Sequence, residues 1–229
     1  MSGTAAHGSG RAPVSLDEAR RALGDGTAVV LPNPAPLTHV VTARRAATVN
    51  AAKGRPTGRP VALWSHHPGT LRTLDGVWRL PHDRRELVRR LLAEEYLTVL
   101  VPVREGAGPH WLAPAVEDGW MLLFGARWQP LRPLLDEHPV LYVSSANRTG
   151  RAPAATAAEA LGMFPDGVPV LASPHTEEAA PARRATTTVR VPADGDLTLH
   201  RPGAQDEPHP TPDHYLRHLA DRYPLAGGR

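Results

Sequence analysis

The chain has 229 residues, 41% of them apolar and 21% charged, with a formal net charge of +3 and no cysteine. That length suffices for one domain with a sizeable core. The missing cysteine excludes a disulfide framework, a thiolate metal site and a cysteine nucleophile. No apolar run approaches a membrane span, and 25 prolines argue against a long-helix architecture.

Residues 1–14 lack the apolar core of a signal peptide and read as a flexible leader, which makes the cytoplasm the expected location. "SLDEARRALGDG" opens with Ser15 and Glu18 as a capping box, and Gly24 is placed to stop the helix. "TAVVLP" (27–32) predicts a buried strand, 43–53 a helix, "PVALW" (60–64) a strand and 68–74 a short helix. Residues 83–95 repeat leucine and valine at helical spacing under a charged face. Strands follow at 96–103 and 119–126, then a short helix in "QPLRPLLDEH", a strand over 139–147 and a helix over 155–164. "PVLAS", "TTTVRVP" and "LTLHRPG" supply three more strands. From 204 the tail reads as a proline-rich linker and an amphipathic helix, with Tyr215, Leu216, Leu219 and Tyr223 at helical spacing. Alternating strands and helices predict a single α/β (α+β) domain over 15–203, built on a mixed sheet.

Three constellations carry chemistry. In "NAAKGRPTGRPVALW", Lys53, Arg55 and Arg59 sit on a loop fixed by Gly54, Pro56, Gly58 and Pro60, and Lys53 is the only lysine in the chain. Arginine offers bidentate contact to phosphate oxygens and lysine a point charge. The same stretch also reads as a solvated basic turn or a general attraction for nucleic acid. In "VSSANRTGRAP", Ser144, Ser145, Asn147 and Thr149 crowd the end of an apolar strand, where α/β sheets place ligands. The plainer reading is a capped polar turn. Late in the chain, "RRATTTVRV" and "LTLHRPG" place Arg201 beside a run of threonines. The twelve histidines include the neighbours His66 and His67 and the tail "HPTPDH", which lacks a nearby third ligand, so structural or solvated histidine is the expectation.

The order and spacing of these motifs resemble the YrdC/TsaC family of threonylcarbamoyl-AMP synthases, from about Ser15 to Gly203. The resemblance implies a twisted mixed sheet with flanking helices and a basic concave cavity. It implies a nucleotidyltransferase that joins L-threonine, bicarbonate and ATP, with Mg²⁺, into threonylcarbamoyl-adenylate for tRNA modification. Related domains use carbamoyl phosphate instead. No covalent nucleophile is required. Carried over by motif, Lys53, Arg55, Arg59, Thr98, Ser145, Asn147, Thr187 and Arg201 would hold the nucleotide. The amino-acid side departs from the family pattern: Ala35 stands where a hydroxyl is usual, Trp64 where a histidine is, and Val143 completes the altered acceptor pocket. The acceptor is then threonine or another amine. The metal ligands are left unassigned. The competing reading is a non-catalytic module whose basic cavity binds nucleotide or double-stranded RNA.

Overall fold

The computed structural model describes residues 11–172 and 182–225; most of the expected leader, residues 1–10, and Ser173 of the "PVLAS" strand lie outside the described residues. The elements, in chain order, are α1 (Leu16–Gly24), β1 (Val29–Leu31), β2 (Val40–Ala43), α2 (Ala46–Ala52), β3 (Ala62–Trp64), α3 (Pro68–Asp75), α4 (His82–Ala93) and β4 (Thr98–Pro102). There follow β5 (Val116–Glu117), β6 (Trp120–Phe124), α5 (Arg132–Leu135), β7 (Tyr142–Ser145), α6 (Ala157–Met163), β8 (Thr188–Arg190), β9 (Thr198–Arg201) and α7 (Pro212–Arg222).

Nine strands form one mixed sheet in the order β1-β2-β7-β3-β6-β4-β8-β9, with β5 paired to β6. β3 pairs parallel with β6 and β4 with β8; the other pairings are antiparallel. Side chains alternate between the two faces, as the pleat requires. Val30, Val41, Leu63, Leu123 and Val99 point to one face, against α2, α3, α4, α6 and α7. Val29, Val40, Ala62, Trp64, Phe124 and Val143 point to the other, where α1 and α5 provide the covering apolar residues. Two short helices cannot roof so wide a sheet. The uncovered part of this second face is what becomes a cavity.

Several local expectations hold with adjusted boundaries. Ser15 caps α1, and Glu18 accepts from the Ser15 backbone in return. The helix stops at Asp25, with Gly26 rather than Gly24 taking the left-handed conformation at φ 86°. The helix expected over 43–53 gives up its first residues, and β2 occupies Val40–Ala43, a strand absent from the sequence reading. All four β2 residues are buried, so no polar alternation marks it. The "PVLAS" segment contributes only isolated bridges, Val30 to Val170 and Val14 to Leu171.

Residues flanking 15–203 at both ends are tied to the main fold. Arg11, assigned to the leader, donates to the carbonyls of Phe164 and Val168, each at 2.7 Å, and Val14 donates to Val170 at 2.9 Å. At the other end α7 packs into the main core through Tyr215, Leu219 and Tyr223. The Tyr215 hydroxyl is buried there with no hydrogen-bond partner among the described residues. Tyr215→Phe should therefore be neutral or stabilise the fold by up to about 1 kcal/mol, read from urea unfolding; a clear loss of stability would contradict this placement.

Candidate functional site

The uncovered sheet face carries a cavity of about 290 Å³. Its floor is Val40, Ala62, Leu122, Phe124 and Val143, second-face residues of the four adjoining strands β2, β7, β3 and β6. Arginine and hydroxyl side chains surround this apolar floor. Arg55 and Arg59 come from the Gly/Pro loop after α2, and Arg201 from the end of β9. Thr98, Thr186, Ser144 and Ser145 also line it, and Glu117 is the carboxylate among the lining residues.

The guanidinium groups of Arg55 and Arg201 are held by hydrogen bonds, and Arg59 is anchored through its backbone carbonyl. The side-chain amide nitrogen of Asn50 donates to the carbonyls of Thr57 and Arg59 at 2.8 and 2.7 Å, which pins the loop, and its oxygen accepts from Arg55 Nε. Arg201 donates to the Thr186 carbonyl at 3.3 Å. Among the described residues no carboxylate lies within 4.0 Å of Arg55, Arg59 or Arg201. Burial lowers the pKa of Arg55, with Arg59 adding to it, and burial also lowers that of Arg201. Partly desolvated guanidinium groups without counter-charges favour an anion in the space they share.

Lys53 has a different place from the one expected. It caps α2, is buried, and does not line the cavity. Its Nζ donates to the Ser145 carbonyl and, at 2.8 Å, to Asn147 Oδ1, which also accepts from Ser145 Oγ at 2.7 Å. Lys53 and Asn147 thus brace the β7 end that carries Ser145. Burial first, then the charges of Arg55, Arg201 and Arg59, push the Lys53 pKa down to about 7.

Of the residues expected on the nucleotide side, Arg55, Arg59, Thr98, Ser145 and Arg201 meet at the cavity, and Lys53 and Asn147 stand behind it. Thr187 does not line it. It is fully buried, and its hydroxyl donates to Asp206 and accepts from the backbone amide of Gln205 at 3.0 Å. The cavity threonine is Thr186, whose hydroxyl lies 2.6 Å from that of Thr98. Adjacent residues of extended chain face opposite ways, and three consecutive threonines conceal the register.

Two of the three residues expected in the acceptor pocket also move. Trp64 is fully buried, and its indole N–H donates to the Ala126 carbonyl at 2.8 Å, so it is packing beneath the cavity and not a wall. Ala35 is exposed on a loop; Asn33 and Thr38 from the same loop reach the cavity instead. Asn33 Nδ2 donates to the Thr38 carbonyl at 2.8 Å, closing the loop on itself, and Arg183 donates to the carbonyls of Asn33 and Leu37 at 3.1 and 2.7 Å. Thr38, three residues after Ala35, brings a hydroxyl-bearing residue of this loop to the cavity. Val143 lies in the floor as expected.

Of the buried histidines, His66 is tied into the fold through its ring, whereas both ring nitrogens of fully buried His39 lack a hydrogen-bond partner among the described residues. His66 places its ring nitrogens 3.0–3.1 Å from the carbonyls of Trp64, Leu135 and His138, and His67 caps α3. His209 rests against His214 and His218. No group of three or more histidine or acidic side chains arranged to hold a metal occurs among the described residues. No helix among them is long and apolar enough to cross a membrane.

No protein-family model matches the sequence, and no curated protein does. Solved structures do match the fold. Sua5 from P. abyssi, solved with L-threonine, superposes with a TM-score of 0.59 at 17% identity, covering 84% of this chain and 56% of that one. E. coli YciO gives 0.58 at 13% identity over 83% and 90% of the two chains. Full-length HypF, in a phosphate- and nucleotide-bound form, gives 0.60 at 16% identity over 86% and 30%. This chain therefore spans about half the length of that Sua5 and under a third of HypF. Identities this low speak to architecture alone, and on that architecture the chain has the YrdC-like fold.

Proposed function

We propose that the cavity binds ATP with Mg²⁺ and that the chain is a divergent YrdC-like enzyme forming a carbamoyl-type adenylate. The observation that carries this reading is the convergence of Arg55, Arg59 and Arg201, all without carboxylate partners among the described residues, beside the Thr98–Thr186 hydroxyl pair. Three cations on one small cavity, two of them held by hydrogen bonds, suit a polyphosphate better than any neutral ligand. The likeness in fold to a nucleotide-bound HypF and a threonine-bound Sua5 supports the same reading.

In such a reaction a carbamate oxygen attacks the α-phosphorus of ATP, the bond to the β-phosphate bridging oxygen breaks, and pyrophosphate leaves. Arg55, Arg59 and Arg201 would hold the phosphates and receive the charge that develops on the departing group. Ser145, whose one hydroxyl proton goes to Asn147 Oδ1, would offer its oxygen as an acceptor to a ribose hydroxyl of the nucleotide. Mg²⁺ would enter with the nucleotide, ligated mainly by phosphate oxygens and water, which fits a chain whose described residues hold no three-ligand cluster. Asn33, Thr38 and Val143 would form the acceptor end, for L-threonine or another amine. A threonylcarbamoyl product would serve tRNA modification.

Isothermal titration with ATP and Mg²⁺ tests the reading. Arg55→Ala should weaken binding about 30-fold or more, as loss of a charge-assisted phosphate contact does. Pyrophosphate release with bicarbonate and L-threonine, or with a panel of other amines, then identifies the acceptor. Absence of ATP binding by the unaltered chain would sink the proposal and favour the RNA-binding module.

A further inference from the structure

A second cavity, of about 330 Å³, opens where β3 and β6 end. His66, following β3, and Arg127 and Trp128, following β6, line it together with Tyr96, which precedes β4, and with Arg132 and Asp136. It shares no lining residue with the first cavity. β3 and β6 are parallel, so it lies beyond the carboxyl ends of a parallel pair, where α/β sheets gather ligands. Packed rings separate the two spaces: Phe124 of the first cavity contacts Trp64 edge-on at 5.4 Å, and Trp64 contacts His66 of the second at 5.7 Å. An occupant here would therefore be distinct from the groups that react in the first.

The fold does not account for Arg127. Its Nη2 donates to the Ser65 carbonyl at 2.8 Å, but among the described residues its buried Nε has no hydrogen-bond partner and no carboxylate lies within 4.0 Å. Burial opposes its charge. Arg132, in the same wall, is instead paired with Asp136 at 3.1 Å. Tyr96, at the rim, is exposed and held at φ 55°, a left-handed conformation that costs a tyrosine free energy, and its carbonyl accepts from Gln205 at 3.1 Å.

We propose that this second cavity binds a small aromatic carboxylate, the carboxylate on Arg127 and the ring against Trp128 and Tyr96. One unpaired guanidinium matches one negative charge, and the Asp136 carboxylate in the wall disfavours a phosphate dianion. The aromatic walls suit a flat apolar body, and the volume is in the range of small-molecule sites.

The test is calorimetric titration of the full chain with sodium benzoate and, separately, with inorganic phosphate. Saturable benzoate binding is expected in the unaltered chain and in Arg55→Ala. Arg127→Gln should weaken it about tenfold or more, and Trp128→Ala should weaken it as well. No saturable benzoate binding, binding unchanged in Arg127→Gln, or binding lost in Arg55→Ala would overturn the proposal. Phosphate binding abolished by Arg127→Gln would overturn the carboxylate assignment. If Arg127→Gln does not fold by circular dichroism, Trp128→Ala decides, and unchanged affinity there is a refutation. Because the ATP reading stands on Arg55 and this one on Arg127, either can fail alone.

Discussion

Gly203→Ala will cost about 3 kcal/mol or more of unfolding free energy and take nucleotide binding with it. A Cβ on Gly203 would lie 2.3 Å from the Thr187 amide nitrogen and 2.5 Å from both the Ala185 oxygen and the Thr186 carbonyl carbon. All three are backbone atoms and cannot rotate away as a side chain would. The cause is space alone: Gly203 is not among the glycines with positive φ. Its N–H donates at 2.6 Å to Asp206 Oδ1, the oxygen that also accepts from the Thr187 hydroxyl, so the turn after β9 staples the entry to β8. Pushing that turn outward displaces Arg201 two residues before it and Thr186 beneath it, both lining residues of the first cavity. Gly125→Ala provides the comparison. There a Cβ would meet the Leu92 backbone oxygen at 2.4 Å, far in sequence from Arg55, Arg59 and Arg201 and outside the lining of the first cavity, so it should destabilise without specifically removing ATP affinity in the folded fraction. Urea unfolding and ATP titration of both variants check this. A Gly203→Ala midpoint equal to that of the unaltered chain would refute the close approach.

That glycine illustrates what the sequence could reveal. The motif "LHRPG" marks Arg201 and Gly203 as special, but only the folded chain separates their roles, one facing the cavity and the other making room for the neighbouring strand. The alternating strands and helices were readable from local patterns because most elements have caps or polar faces, as α1 and α4 do. β2 was not, since a strand buried on both faces has no two-residue rhythm. Thr186 and Thr187 were indistinguishable because register is set by pairing with β4 and by the Asp206 contact, both long-range. Trp64 misled for a related reason: a strand-end aromatic can wall a cavity or fill the core, and the covering helix α5 decides which. Thr38 lay hidden because the loop 33–38 takes its shape from Arg183, about 150 residues away. The basic loop was legible at Arg55 and Arg59, since glycine and proline fix its course locally, but not at Lys53, which burial in the α2 cap turns away from the cavity.

Lys53 supplies the second large effect, as a dependence on pH. Its pKa is near 7 in the folded protein against an ordinary 10.5. Between those values the unfolded chain holds a proton that the folded chain has released. Unfolding therefore takes up a proton, and stability rises with pH, by up to about 1.4 kcal/mol per unit. Below about 7 both states are protonated and the penalty for burying the charge is present in full. The rise should be seen from pH 7 to 9 in urea unfolding and should vanish in Lys53→Met; an equal slope in the two proteins would show that Lys53 is not its source. The neutral amine retains two N–H donors, matching its two acceptors on Ser145 and Asn147, so the native contacts do not require the charge. A polyphosphate would reverse the balance. Arg55, Arg201 and Arg59 all depress the Lys53 pKa, and an anion that neutralises them raises it again. ATP binding at pH 8 should then be accompanied by proton uptake, measurable as a binding enthalpy that varies with the ionisation enthalpy of the buffer. Lys53→Met should bind without that uptake. Uptake that persists in the variant would place the linked proton on another group, and none in either protein would mean that the phosphates do not sit among these arginines.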